Sequence, residues 1–214
     1  MGFISDNSPM NVRTLAIAAV CLIVIFVAFG PSSDSYEIRN SNAEGETIIA
    51  FGDSLTHGIG ASKDMDYPSQ LSRMIGKPVI NMGVPGETTG DALERLELVL
   101  VENPRIVIVT LGGNDIRKKV PREQVFNNLR TIVSRIQENG AMVVLGGIDV
   151  PVFGSDFGDA YITLARDTGS LLVPNVFEGI INNKSLMSDP VHPNGKGYRL
   201  MAESFHQVLS PYIK

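Results

Sequence analysis

The stretch TIIAFGDSL, residues 47–55, joins a short β-branched apolar run to a tight turn that contains a glycine. The run predicts a buried strand, and four similar runs follow along the chain: Val79–Met82, Ile106–Leu111, Met142–Leu145 and Leu171–Pro174. Amphipathic stretches that predict helices alternate with them: Tyr67–Ile75, Thr89–Val101, Arg122–Asn139, Asp156–Thr168 and Gly195–Ile213. This alternation predicts a doubly wound α/β domain, a three-layer α/β/α sandwich with a central parallel sheet.

Four short motifs contain the candidate catalytic residues. GDSL (52–55), GVPGET (83–88) and GGND (112–115) each follow a predicted strand, and DPVHP (189–193) precedes the last predicted helix. Ligands of open parallel sheets bind beyond the carboxyl ends of the strands. We therefore expect the first three motifs to lie on one rim of the domain, on the basis of topology alone.

The first and last motifs together supply the groups needed for serine-based acyl transfer. Ser54 is a candidate nucleophile, His192 a candidate base, and Asp189 a carboxylate three residues before that base. This spacing lets Asp189 reach the Nδ1–H of the His192 imidazole, which leaves Nε2 free to accept the serine proton. The structural alternatives are a helix cap at Ser54 and an ordinary solvated turn at residues 189–193.

The two middle motifs and the turn at Ser54 provide hydrogen-bond donors for a developing negative charge. The candidates are the backbone N–H groups of Ser54 and Gly86 and the side-chain amide of Asn114. Glycine suits a position where the backbone approaches a substrate closely or adopts a positive φ. Ordinary loop glycines and a turn asparagine are the alternative interpretation of these two motifs.

In this order the four motifs resemble the sequence blocks of the SGNH (GDSL) hydrolase family, and the resemblance covers residues 47–214. It implies a flavodoxin-like fold with Ser54, Asp189 and His192 as the catalytic triad. It also implies an oxyanion hole formed by Ser54, Gly86 and Asn114. Within the family, the single-domain layout is similar to bacterial periplasmic thioesterase, lysophospholipase and arylesterase enzymes. Pro85 departs from the small polar residue that is usual before this glycine.

The resemblance implies a serine esterase that hydrolyses carboxylic esters or thioesters through an acyl-enzyme on Ser54. A carbohydrate O-acetylesterase with the same triad is the alternative within the enzyme class, and a non-catalytic binding domain is the alternative outside it. An α/β-hydrolase is excluded because Thr56 occupies the position where the nucleophile motif of that fold requires glycine. We expect Val152, Phe153 and Phe157, which follow the fourth strand, to form an apolar wall for the acyl group.

The amino-acid composition restricts the classes of molecule that the protein is expected to bind. The net charge of −5, without any basic run, argues against a nucleic-acid partner and leaves a small acyl ester or thioester as the expected substrate. Three dispersed histidines, without an HExxH motif or a cysteine pair, argue against a metal site. The predicted chemistry needs no cofactor.

The N-terminal segment bears on location rather than on chemistry. Residues 14–30 are almost entirely apolar after Arg13 and predict a membrane anchor, with residues 1–13 as a cytoplasmic stub. The domain at 47–214 would then face the periplasm beyond a flexible polar linker at 31–46. A cleaved signal, which would give a secreted or periplasmic protein, and a buried helix are the alternatives.

Overall fold

The computed structural model of the protein describes residues 36–150 and 156–213. The predicted stub and membrane anchor lie outside these ranges, and so do Val152 and Phe153. Within the described ranges, the helices are all too short or too polar to cross a membrane. The membrane anchor therefore stays a prediction.

Five strands form one parallel sheet in the order β2-β1-β3-β4-β5. Their bounds are β1 Ile48–Gly52, β2 Val79–Gly83, β3 Ile106–Thr110, β4 Met142–Gly146 and β5 Leu171–Val173. Every residue of β1, β3 and β4 is buried, whereas β2 is a partly exposed edge strand. The apolar character of the three central strands thus reflects burial on both faces, and the predicted fold class is confirmed.

Helices cover both faces of this sheet. Those described are α1 Ser54–His57, α2 Tyr67–Ile75, α3 Thr89–Glu94, α4 Glu97–Leu100, α5 Gly113–Arg117, α6 Arg122–Glu138, α7 Asp156–Thr168 and α8 Gly195–Leu209. Helix α2 packs against α8, and α6 packs against α3 and α7. The apolar stripe predicted on α6 is fully buried: Val125, Leu129, Ile132, Val133 and Ile136.

The structure differs from the sequence-based prediction at some helix boundaries. The helix predicted over Thr89–Val101 is two helices, because the backbone leaves helical geometry at Arg95, where α3 ends. The last helix stops at Leu209 and continues as a 3₁₀ turn that contains Pro211, which cannot extend the hydrogen-bond pattern of an α-helix. The short helices α1 and α5 each begin at a predicted site motif.

The packed domain begins before the boundary expected from composition. The backbone N–H of Arg39 donates to the carbonyl of Gly169 at 2.9 Å. The side-chain amide of Asn40 donates to the carbonyls of Gln137 and Ala141 at 2.8 and 2.9 Å. Polar residues predicted as linker are therefore bound to the domain, and the compact unit starts at Glu37.

The strand order places a ligand crevice between β1 and β3. In the order β2-β1-β3-β4-β5, the chain moves outward in one direction from β1 to β2 and in the other from β3 to β5. Loops that leave β1 and β3 therefore diverge and open a crevice at the carboxyl edge of the sheet. Ser54 follows β1 and Asn114 follows β3, so both lie at this crevice.

Candidate active site

Ser54 is the first residue of α1, directly after the turn that follows β1. Asp53 caps this helix, because its Oδ1 accepts a hydrogen bond from the backbone N–H of Leu55 at 3.0 Å. Gly52 makes the tight turn possible, since a Cβ at this position would collide with the carbonyl oxygen of Thr110. The turn places the Ser54 hydroxyl at the carboxyl edge of the sheet, beside the free N–H groups of a helix start.

The structure brings Ser54, His192 and Asp189 into one hydrogen-bonded chain. Nε2 of His192 lies 3.0 Å from Oγ of Ser54, although the two residues are 138 positions apart. Nδ1 of the same ring lies 2.7 Å from Oδ2 of Asp189. The other oxygen, Oδ1 of Asp189, accepts from the backbone N–H groups of Val191 and His192 at 2.8 Å each, which fixes the turn. A nucleophile, a base and a group that orients the base are thus in contact.

The electrostatics of Asp189 favour the charged form that this arrangement requires. Burial raises the pKa of its carboxyl, but hydrogen bonds from the His192 ring and from two backbone N–H groups outweigh that effect. The pKa therefore lies below its ordinary value of 3.8. An ionised Asp189 holds the proton of His192 on Nδ1 and leaves the lone pair of Nε2 directed at Ser54.

Two of the three predicted oxyanion donors are free. Among the described residues, no group accepts a hydrogen bond from the backbone N–H of Ser54 or of Gly86. Gly86 has a φ of 87° in a turn closed by the N–H of Glu87 and the carbonyl of Val84, 3.4 Å apart. Proline before such a glycine is typical of a type II turn, so Pro85 suits the local hydrogen bonding of the loop.

The third donor, Asn114, is held by three neighbours. Its Nδ2 donates to Oδ2 of Asp53 at 3.0 Å and to the carbonyl of Glu87 at 2.8 Å. Its Oδ1 accepts from Nη2 of Arg117 at 3.0 Å, and a cation at this oxygen polarises the amide. Both amide hydrogens are engaged in the resting protein, so an oxyanion must share or take over one of them.

A buried carboxylate ties the second and third motifs together. Asp115, next to Asn114, is fully buried. Its oxygens accept from the backbone N–H of Thr89 at 2.9 Å and from its hydroxyl at 2.6 Å. Thr89 begins α3, directly after the loop that carries Gly86. This contact sets the distance between the Gly86 loop and the Asn114 helix.

Asp53 carries the most perturbed carboxyl among the described groups of the site. Burial raises its pKa to about 6, although the N–H of Leu55 and the nearby His192 partly oppose the change. The side chain is 3% exposed and lies behind the nucleophile. Its charge is therefore poorly solvated, and the hydrogen bond from Asn114 partly compensates for this.

The free energy of unfolding is expected to depend on the ionisation of Asp53. Its pKa is about 6 in the folded protein and 3.8 ordinarily, so between these values the folded state binds more protons than the unfolded one. The stability contribution is complete below pH 3.8 and is lost as the pH rises through 6, by about 3 kcal/mol in total.

The variant Asp53→Asn isolates this effect, because asparagine keeps an acceptor for Leu55 and cannot ionise. Urea denaturation between pH 4.5 and 7.5 should show the wild-type free energy of unfolding falling relative to the variant as the pH rises. The falling sign is required because a raised acid pKa favours folding of the protonated form. If the wild-type free energy of unfolding stayed constant or rose relative to that of the variant, the Asp53 carboxylate would be well solvated in the folded protein.

A cavity of about 750 Å³ opens beside Ser54 and His192. This volume is typical of sites for small organic ligands. Most of its lining side chains are apolar: Leu55, Ile59, Pro85, Ile148, Val150, Phe177, Ile181, Pro190 and Val191. Gly86, Asn114 and Arg117 contribute the polar side next to the nucleophile. The geometry thus offers a polar reaction centre at one side of an apolar pocket.

Of the three residues predicted to form the acyl wall, Phe157 alone lies within the described part of the chain, and it packs elsewhere. Phe157 is not among the residues that line the cavity. Its ring packs against Phe126 of α6 with centroids 5.6 Å apart, so it joins α7 to α6. Phe177 and Ile181, which were not predicted from the sequence, do line the cavity. The apolar pairs at 176–177 and 180–181, between the last strand and the last motif, were the available signal.

Comparisons with known proteins agree with this geometry. The model of the GDSL-like lipase/acylhydrolase family matches residues 50–200. An arylesterase of Vibrio mimicus is 31% identical over 180 residues, which cover 78% of this chain and 90% of the relative. Thioesterase 1/protease 1/lysophospholipase L1 of Escherichia coli K12 is 28% identical, covering 80% of this chain and 86% of the relative.

Solved structures give the same result at the level of the fold. The crystal structure of TesA superposes with a TM-score of 0.73 at 27% identity, and the match covers 78% of this chain and 99% of that one. The residues that the family model matches, 50–200, contain all four motifs and the whole sheet except the first two residues of β1. The chain therefore belongs to the GDSL-like lipase/acylhydrolase family, and it is a serine hydrolase of ester bonds.

Proposed function

We propose that this enzyme hydrolyses esters or thioesters of apolar acyl groups, with Ser54 as the nucleophile, His192 as the base and Asp189 orienting the base. The observation that carries the proposal is the chain of 2.7 and 3.0 Å contacts from Asp189 through His192 to the Ser54 hydroxyl. This chain ends at the mouth of an apolar cavity of about 750 Å³.

In the first half-reaction, Nε2 of His192 accepts the proton of the Ser54 hydroxyl while Oγ attacks the carbonyl carbon of the substrate. The carbonyl oxygen becomes an oxyanion that accepts hydrogen bonds from the N–H groups of Ser54 and Gly86 and from the amide of Asn114. His192 then gives its proton to the departing alcohol or thiol, which leaves the acyl group bonded to Oγ.

In the second half-reaction, water takes the place of the leaving group. His192 accepts a proton from this water, which attacks the acyl carbonyl and forms a second oxyanion in the same hole. Collapse of this intermediate returns the proton to Ser54 and releases the acid. Asp189 remains ionised throughout, because its role is to hold the Nδ1–H tautomer and to stabilise the charged imidazole.

The lining of the cavity supports an apolar acyl group. Burying one methylene stabilises a complex by about 0.8 kcal/mol, which corresponds to roughly fourfold in affinity. Ile148 and Phe177, which form part of this lining, are almost fully buried, so the core holds the wall of the cavity firmly. An acetyl group would leave most of the cavity unfilled, which makes the O-acetylesterase alternative less favourable.

A series of p-nitrophenyl esters from acetate to palmitate tests the proposal. We expect kcat/KM to rise by up to roughly fourfold per methylene until the cavity is full, with octanoate preferred to acetate by about 100-fold or more. A matched thioester series tests the leaving group. A preference for acetate, or for acetylated oligosaccharides, would contradict the apolar-acyl proposal and favour the O-acetylesterase.

The variant Ile181→Trp should shift the preferred ester to shorter acyl chains, because the larger side chain fills part of the cavity that Ile181 lines. Leu98→Trp is the matched control, since Leu98 is 60% exposed and lies outside the cavity. An equal shift in both variants would show that the effect does not arise in the cavity.

A further inference from the structure

A largely buried ion pair lies beside the site, between Arg95 and Glu87. Nε of Arg95 is 2.6 Å from Oε1 of Glu87, and Nη2 is 2.6 Å from Oε2. The two side chains are only 18% and 11% exposed. A two-point contact of this kind fixes direction as well as distance. Because buried ion pairs contribute little net stability, this pair calls for another explanation.

The same guanidinium also binds the ends of two strands. Nη2 of Arg95 donates to the carbonyl of Met82 at 2.9 Å, near the end of β2, and to that of Gly52 at 3.2 Å, the last residue of β1. Its central carbon lies 4.5 Å from the ring centre of Phe51. Arg95 thus joins the carboxyl ends of β1 and β2 to the loop that carries Glu87.

Two of these contacts, those to Gly52 and Glu87, adjoin an oxyanion donor. Gly52 lies two residues before Ser54, and Glu87 directly follows Gly86. The carbonyl of Glu87 accepts from the amide of Asn114 at 2.8 Å. Arg95 is not among the residues that line the cavity, so the described contacts give it no access to substrate.

The Gly86 loop requires an external contact of this kind. Types I and II of this turn differ mainly in the orientation of the central peptide group, whose N–H belongs to Gly86. Glycine adopts both conformations at little cost, so the turn itself does not fix the direction of that N–H. The carbonyl of Gly86 is bound by the exposed Lys118 at 3.2 Å. Glu87, the next residue, is held by contacts that are better shielded from solvent, from its carboxylate to Arg95 and from its carbonyl to Asn114.

We propose that Arg95 is the positioning residue of the oxyanion hole. Through Glu87 it directs the N–H of Gly86 and the amide of Asn114, and through the carbonyl of Gly52 it keeps both in register with Ser54. The inference rests on the proposed function, because it assumes that these three donors face the oxyanion. The break between α3 and α4, where Arg95 lies, would then have a role in catalysis.

The first test measures kcat and KM of Arg95→Gln and Arg95→Lys with a p-nitrophenyl ester. Arg95→Gln is expected to lower kcat by roughly 10- to 100-fold and to change KM by less than about threefold, because misplaced donors weaken transition-state binding. Lysine keeps the charge without the planar fork, so Arg95→Lys should recover only part of the loss. An unchanged kcat in a folded Arg95→Gln would overturn the inference.

Arg105→Gln is the matched control for a purely structural effect. Arg105 also donates to two backbone carbonyls, those of Ala43 and Tyr212, at 2.9 and 2.8 Å. It lies immediately before β3, at the amino-terminal ends of the strands, whereas the site lies at their carboxyl ends. We expect Arg105→Gln to lower the Tm and to keep kcat within about twofold. A loss of kcat equal to that of Arg95→Gln would reduce the role of Arg95 to general stability.

A double-mutant cycle with Asn114→Ala separates this inference from the proposed function. Asn114→Ala alone should lower kcat by roughly 10²–10³-fold, with little change in KM. Arg95→Gln added to Asn114→Ala should cost less than it does in the wild type, because both act through one hole. Full additivity would overturn the role of Arg95. No effect of Asn114→Ala would overturn the oxyanion assignment itself.

Glu87→Gln keeps the test decisive if Arg95→Gln does not fold. This change removes one charge with almost no change in shape, and it leaves the carbonyl that accepts from Asn114. We expect kcat to fall by about tenfold, with KM unchanged. The inference would be contradicted if Glu87→Gln had the wild-type kcat and if adding it to Asn114→Ala caused no change beyond that of Asn114→Ala alone.

Discussion

Replacing Ser54 with alanine is expected to lower kcat by about 10⁶-fold, the largest effect that any single change should have. Among the described residues, the Ser54 hydroxyl is the nucleophilic group in contact with His192 Nε2, so its removal leaves no group there to form the acyl-enzyme. The fold should be preserved, because Asp53 and not Ser54 caps α1. Activity is measured with a p-nitrophenyl ester and labelling with a fluorophosphonate probe.

Ser62→Ala provides the matched control for this experiment. Ser62 is an exposed serine of the neighbouring loop and lies outside the cavity. The control should keep full activity and full labelling, and circular dichroism should show both variants folded. Labelling of Ser54→Ala at the wild-type rate would show that another residue is the nucleophile.

Replacing Asp189 with asparagine is expected to lower kcat by roughly 10³–10⁴-fold. Oδ1 would still accept from the backbone N–H groups of Val191 and His192, so the turn should persist. The new amide N–H would face Nδ1 of His192, where Oδ2 now lies at 2.7 Å. This favours the tautomer that carries its proton on Nε2, which cannot accept the proton of Ser54.

The measurement is kcat as a function of pH for the wild type, Asp189→Asn and Asp167→Asn. Asp167 is an exposed partner of Arg130 at 2.8 Å, so its variant should match the wild type. If Asp189→Asn retains activity within about threefold, a different carboxylate orients His192. The expected loss lies below that for the nucleophile because Asp189 orients the base and forms no bond to the substrate.

The sequence is sufficient to predict the central features of the fold. Strands such as Ile106–Thr110 are continuous β-branched runs because both of their faces are buried, so local composition carries the signal. The alternation with helices then predicts the parallel sheet, and the sheet predicts the edge at which ligands bind. Ser54 and Asn114 lie at that edge because they directly follow strands.

The features that sequence reasoning missed depend on contacts between distant residues. Hydrophobic periodicity runs through Thr89–Val101 without interruption, yet the helix breaks at Arg95, whose side chain binds Glu87 and two strand ends. Asn40 was assigned to a flexible linker, but its amide binds carbonyls about 100 residues away. Local composition does not encode such pairings.

The cavity wall illustrates the same limit. A rim loop after the fourth strand was the reasonable place for apolar contacts, and Ile148 and Val150 do line the cavity there. The apolar ring at Phe157 instead packs on Phe126. Whether an apolar side chain faces a pocket or a helix depends on the path of the backbone, which the hydrophobic pattern of an irregular segment does not determine.

The most direct test of the account is mass spectrometry of the enzyme quenched during turnover of an octanoyl thioester. A single octanoyl adduct is expected on the tryptic peptide that contains Ser54, absent from Ser54→Ala and present in Arg105→Gln. Asp189→Asn should form this adduct more slowly but at the same residue. An adduct on any other residue, or turnover without an acyl-enzyme on Ser54, would contradict the central claim.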